Sequence, residues 1–283
     1  MNDRALFGPA GNSEAFYAEG FKNTIDAMPW LSRQGLDLYE YQCGQGVRGS
    51  DATFIAIGNR AKECGIQLSL HAPYFISLSG IDTEKRLKSI EYIEQSVRAA
   101  KLLQADTVVI HTGSASKISR REAVELAKDT MYKMLEKLGD QGVNYGLETM
   151  GKQNQLGTLE EVIEICSIDP LLHPVVDFGH LNARDCGNVF PKEDDYKRLF
   201  DLISEKLGSD YSDRLHCHFS KIEYTDKGEK KHLTFDDTVY GPEFEPLCRV
   251  IAVEKLHPHI ICESAGTQAR DALMMKTEYS KYL

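Results

Sequence analysis

Six short apolar runs in this 283-residue chain each end on an imidazole or a carboxylate. Leu68–Ser69–Leu70 runs into His71, Val108–Val109–Ile110 into His111, Tyr145–Gly146–Leu147 into Glu148, and Val175–Val176 into Asp177. Leu215–His216–Cys217 then runs into His218, and Ile260–Ile261–Cys262 into Glu263. His180 follows Asp177 by three residues, in a stretch read as a Gly-containing turn. Neutral imidazole nitrogen and carboxylate oxygen are zinc ligands, and carboxylate-rich sets also take manganese or magnesium. A single ending of this kind is the ordinary polar end of a strand, satisfied by loop amides. Six in succession are different, because so much acid and imidazole left unpaired in one place would be costly. The chemistry they predict is a cluster of divalent metal ions, with at least one carboxylate shared between two of them.

The elements around these residues alternate. Leu6–Phe7–Gly8 reads as a first strand and Leu36–Tyr41 as a second, with a helix from Ala18 to Gln34 between them. Apolar residues at helical spacing mark further helices over Asp51–Glu63, Glu84–Leu103, Tyr196–Leu207, Phe244–Lys255 and Gln268–Tyr279. Ser119–Arg120–Arg121–Glu122 and Thr158–Leu159–Glu160–Glu161 are capping boxes that open two more. Lys221–His232 is a charged excursion too polar for a core. Eight strand–helix units without a linker predict one domain over residues 1–283, a (β/α)8 TIM barrel, whose active site lies at the C-terminal ends of the strands. That is the end at which every ligand candidate falls.

Composition narrows the class. No run of eighteen apolar residues is present, so no membrane span is expected, and Met1–Asn2–Asp3–Arg4 leads into Leu6 without an apolar signal region. A cytoplasmic protein is expected, with no obligate protein partner evident. The seven cysteines are scattered and odd in number, which argues for free thiols. Cys217 and Cys262 precede ligand candidates by one residue, so strand alternation turns them away from the site, towards the helices. A net charge of −10 excludes a broad basic nucleic-acid surface, but not a nuclease whose metal ions supply the positive charge at the phosphate.

In their order and spacing, His71–Ala72–Pro73–Tyr74–Phe75–Ile76–Ser77–Leu78, His111–Thr112–Gly113–Ser114, Leu147–Glu148–Thr149, Asp177–Phe178–Gly179–His180, His218–Phe219–Ser220–Lys221 and Glu263–Ser264 resemble the signatures of endonuclease IV. This is the zinc-dependent apurinic/apyrimidinic endonuclease family, within the xylose isomerase-like TIM barrels. The resemblance implies one zinc ion on His71, His111 and Glu148. It implies a second on Glu148, Asp177, His218 and Glu263, with Glu148 as bridge and catalytic residue. A third ion would belong to His180 and His232, but there the chain departs: Lys230–Lys231–His232 stands where the family has Asp-Arg-His. Glu229, Asp226, Asp236 and Asp237 are the acids that could substitute. The resemblance also implies that Tyr74 and Phe75 enter the minor groove as wedges, and that Gln45 and Arg48 contact DNA from the loop after the second strand. The implied activity is hydrolysis of duplex DNA 5′ to abasic sites by a zinc-activated hydroxide. The alternative is a sugar isomerase or epimerase with one divalent ion on Glu148, Asp177, His218 and Glu263. A barrel that binds metal without catalysis is a third reading.

Overall fold

The computed structural model describes residues 4–283, so Met1–Asn2–Asp3 lie outside the described residues. The strands in chain order are β1 (Leu6–Pro9), β2 (Leu38–Gln42), β3 (Gln67–His71), β4 (Thr107–His111), β5 (Asn144–Glu148), β6 (Leu172–Asp177) and β7 (His216–Phe219). A hairpin of β8 (Ile222–Thr225) and β9 (Gly228–His232) follows, and then β10 (His259–Cys262). β1 to β7 and β10 form one eight-stranded sheet in the order β1-β10-β7-β6-β5-β4-β3-β2, and its paired strands run parallel. This is the expected TIM barrel.

The barrel closes between β1 and β2. The Asp37 N–H donates to Phe7 O at 2.9 Å, and the Gly11 N–H to Glu40 O at 3.0 Å. Gly8 is what lets the two strands approach, since a Cβ at this position would lie 1.9 Å from Leu38 O. Along each strand the pleat sorts the side chains. Phe7, Tyr39, Leu70, Ile110, Leu147, Cys217 and Cys262 join the large core between sheet and helices, so both cysteines lie on the side that alternation assigned them. Inside the barrel the apolar filling is small: Leu6, Ala10, Leu38 and Ile261 form one cluster, and Val109 and Val175 face inward as well. The remaining interior is polar, and it is where the site begins.

The helices follow the sequence reading closely where caps mark them. Ser119 accepts the Glu122 N–H at 3.2 Å at the start of Arg120–Leu138. Thr158 and Glu161 make the reciprocal pair before Leu159–Cys166, at 3.3 and 2.9 Å. Three segments differ. The helix expected over Ala18–Gln34 is two, Glu14–Ala18 and Thr24–Arg33, because Gly20 takes a φ of +91° between them. Asp177–His180 is the first turn of a helix, Phe178–Arg184, rather than a loop turn; the Asp177 carboxylate caps it by accepting the His180 N–H at 2.7 Å. The charged excursion is the antiparallel β8–β9 hairpin.

Gly8→Ala is expected to destabilise the barrel by about 3 kcal/mol, because backbone rather than a mobile side chain meets the new methyl. Urea denaturation measures this, and a loss below about 0.5 kcal/mol would contradict a close β1–β2 seam.

Candidate metal centre

Glu148, the last residue of β5, is 1% exposed and lies among four imidazoles. Its Oε2 faces His71 Nε2 at 3.2 Å and His111 Nε2 at 3.1 Å, from the ends of β3 and β4. Its Oε1 faces His218 Nδ1 at 3.1 Å, from β7, and His180 Nδ1 at 3.4 Å. One carboxylate thus presents one oxygen to each of two groups of ligand atoms. Glu263, just past β10, lies 3.6 Å from His218 Nδ1 and 4.0 Å from His232 Nδ1. The structure gathers His71, His111 and Glu148 into one set; Glu148, Asp177, His218 and Glu263 into a second; and His180, His232 and Glu263 into a third.

The surroundings fix which nitrogens are free. The ring of His71 holds Ala72 O with Nδ1 at 2.8 Å, and that of His180 holds Thr149 O with Nδ1 at 3.0 Å. A carbonyl only accepts, so both Nδ1 atoms carry a proton and Nε2 is the nitrogen each ring has left to offer a metal ion once it is neutral. Asp177 is fully buried and its Oδ2 has no hydrogen-bond partner, although His180 Nδ1 lies 3.3 Å away. A buried, unpartnered carboxylate oxygen grouped with Glu148, His218 and Glu263 fits a divalent cation and is costly otherwise.

The electrostatics agree. Burial pushes the Glu148 carboxyl up, but the charge on His218 and hydrogen bonds from His111, His180 and His218 outweigh it and hold the group well below the usual carboxylate range. Burial works against a charged His71, yet Glu148 carries its pKa up to about 9. Burial likewise opposes a charge on His180 and His218, and the surrounding carboxylates raise both well above the ordinary value. Glu263 is raised, by burial first, with Asp177 and Glu148 adding to it. Protons here perform the compensation that a divalent ion also provides, and ion binding would release them.

Lys230 is not in the cluster. The β8–β9 register pairs Tyr224 with Glu229 and Glu223 with Lys231, so Lys230 is the extra residue of a β-bulge. Its ammonium is exposed and reaches Glu223 at 2.5 Å. The bulge changes the parity of the strand and leaves Glu229 facing inward, 3.6 Å from His180 Nε2, in company with His232. Space for this exists because residue 151 is glycine: a Cβ there would lie 2.7 Å from Glu229 Cβ and 2.9 Å from His180 Cδ2. The loop carrying Gly151 is itself held by the Arg184 guanidinium, which donates to the carbonyls of Met150, Lys152, Gln153 and Gln155.

Tyr74 and Phe75 are exposed on the loop after β3, with Phe75 packed edge-on against Tyr92. Gln45 and Arg48 are exposed on the β2 loop, which the Tyr74 N–H joins through Gly44 O at 3.3 Å. All four therefore sit at the end of the barrel that carries His71. Two further polar residues went unnoticed in the sequence, Glu40 and His216. Both are buried beneath the cluster, and Glu40 Oε2 lies 3.0 Å from His216 Nε2. The available signal was an acid on the inward face of an alternating strand, and a second histidine two residues before His218.

With fold and site in place, comparison with known proteins defines the class. Residues 28–278 match the family model described as xylose isomerase-like TIM barrel, and the chain belongs to that family. It is 30% identical over 277 residues to an uncharacterized protein of Methanocaldococcus jannaschii, covering 96% of each chain. It is 32% identical over 169 residues to a probable endonuclease 4 of Acholeplasma laidlawii, covering 57% of this chain and 56% of that one. Among solved structures it is similar to a D-tagatose 3-epimerase-like protein, with a TM-score of 0.70 at 19% identity over 97% of each chain. It is similar also to endonuclease IV of Thermus thermophilus, with a TM-score of 0.69 at 19% identity over 93% of this chain and 95% of that one. The chain is thus a metal-binding enzyme of the xylose isomerase-like barrels, and the two structural likenesses establish the fold alone.

The bulge yields a direct expectation. Glu229→Ala is expected to lower the bound divalent metal by one ion per chain, whereas Lys230→Asp should leave it unchanged, because residue 230 points to solvent. Elemental analysis of both variants checks this, and a gained ion in Lys230→Asp would contradict the register.

Proposed function

We propose that this chain is a metal-dependent phosphodiester hydrolase that cleaves duplex DNA 5′ to abasic sites. The observation carrying the reading is the convergence of His71, His111 and His180 on Glu148. A one-ion sugar epimerase needs only Glu148, Asp177, His218 and Glu263, and gives those three imidazoles no purpose. The partial similarity to probable endonuclease 4 proteins supports the same side.

In this reading His71, His111 and Glu148 hold one zinc ion; Glu148, Asp177, His218 and Glu263 a second; and the His180, His232 and Glu263 group, joined by Glu229 beside His180, a third. When bound, such ions neutralise the scissile phosphate and acidify water near neutral pH. Glu148 has one oxygen towards His71 and His111 and the other towards His218, so it would be shared between the two ligand sets and orient the attacking water by hydrogen bonding. Asp177 and Glu263 would, with His218 and Glu148, hold the second ion, whose charge would neutralise the phosphate. Tyr74 and Phe75, apolar and exposed beside the mouth, wedge into the minor groove and expose the abasic nucleotide to the cluster. Gln45 and Arg48 grip the backbone from the neighbouring loop. No serine or cysteine nucleophile is required, and burial pushes the Cys262 thiol, adjacent to Glu263, up to about 12.

The test is incision of a duplex carrying one tetrahydrofuran abasic analogue. The zinc-loaded protein should nick it 5′ to the analogue, and Glu148→Gln should slow the single-turnover rate by about 10³-fold with the fold retained. His71→Ala and His111→Ala should each lose an ion together with most of the cleavage. Ketose epimerisation by the wild type, with no incision and a site indifferent to both histidine changes, would overturn the proposal.

A further inference from the structure

We infer that Glu40 is a positioning residue for His218, holding that imidazole from below so that its Nδ1 is presented to the metal cluster. The inference rests on the metal-site reading above and adds a residue to it.

Glu40 lies on the inward face of β2 and is 0% exposed. It reaches across the barrel interior to β7, where His216 and His218, two residues apart, share one face. Its Oε1 takes the Gln42 side-chain amide at 3.1 Å and lies 3.1 Å from His218 Nε2. Its Oε2 takes the Ser69 hydroxyl at 2.9 Å and lies 3.0 Å from His216 Nε2. His218 Nε2 lies 3.3 Å from Oε2 as well, so it sits against both oxygens, and a buried carboxylate can only accept. It follows that both imidazoles offer an Nε2–H downward. For His218 this leaves Nδ1 as the lone-pair nitrogen, and that atom is the one 3.1 Å from Glu148 and 3.6 Å from Glu263. The ring is gripped at one nitrogen by a carboxylate and presents the other to the ion, the arrangement that orients metal-binding histidines generally.

His216 completes the support. Without it, the Glu40 oxygen facing it would lose its His216 partner inside a buried interior. His71 and His180 obtain the same service from backbone carbonyls, Ala72 O and Thr149 O, which come from the loops at the mouth. His218 is fully buried in the middle of the barrel, where the backbone carbonyls are committed to the sheet. A side chain from the opposite strand must supply the acceptor.

The wild-type chain, labelled with 15N-histidine and loaded with cadmium-113, gives the first test. His218, assigned by the signals lost in His218→Gln, should show cadmium coupling at Nδ1 and a slowly exchanging proton on Nε2. Coupling at Nε2 would overturn the inference, and a wild type that takes up no cadmium would overturn the metal site itself. The second test is Glu40→Gln, which keeps the volume but must turn an amide donor towards one imidazole. Zinc affinity by chelator competition should fall about 10- to 100-fold while circular dichroism and cooperative melting persist. Unchanged affinity in a folded Glu40→Gln protein refutes the role of Glu40 and leaves the metal site standing. Should this variant not fold, the cadmium coupling in the wild type decides.

Discussion

Everything at the mouth of this barrel depends on one carboxylate, Glu148, buried among imidazoles from three other strands and a helix. Taking a carboxylate out of water costs several kcal/mol, and only close opposite charge and hydrogen bonds offset that. Such a device contributes little to stability compared with apolar packing of the same volume. Its presence means that the fold tolerates a cost at this point for the chemistry it permits. The parallel barrel can do so because every strand ends at the same face. Six successive barrel strands place their last residue, or one next to it, within reach of a common centre, and no local motif is needed.

The arrangement is layered along the barrel axis. At the bottom of the site Glu40 and His216 hold His218. Above them Glu148, Asp177 and Glu263 set the negative charge that ions compensate. At the rim, His232 and Glu229 come from the β8–β9 hairpin, and Tyr74 and Phe75 from the β3 loop. Interior layers are fixed by strand register and rim residues by loop structure. The same division separates what the sequence disclosed from what it hid.

The strand-end cluster was legible because strand alternation and barrel topology are properties of short, local patterns. The helix starts at Ser119 and Thr158 were legible for the same reason, although only Thr158 makes the full reciprocal box and Ser119 caps with its hydroxyl alone, and Gln268–Tyr279 has the bounds its apolar stripe predicted. Glu229 was one of four acids and could not be chosen, since the choice depends on a bulge at Lys230 that shifts strand parity by one. Reading Lys230 into the ligand position assumed an unbulged strand. Glu40 and His216 are 176 residues apart, and nothing local to either says that they meet across the barrel. The helix cap at Asp177 was hidden by a double use of the residue: one oxygen closes the helix and the other is left without a partner for the site.

Fold similarity does not decide between phosphodiester hydrolysis and sugar epimerisation, since the epimerase-like and endonuclease barrels match this chain about equally well, at TM-scores of 0.70 and 0.69. The decision belongs to the number of ions that the buried side chains can hold. The most direct measurement is the zinc content per chain of the purified wild-type protein, by elemental analysis after removal of loosely bound metal. The account predicts at least two tightly held ions, and three when the Glu229 set is filled. A stoichiometry of one, saturating at the Glu148, Asp177, His218 and Glu263 quartet, would contradict it.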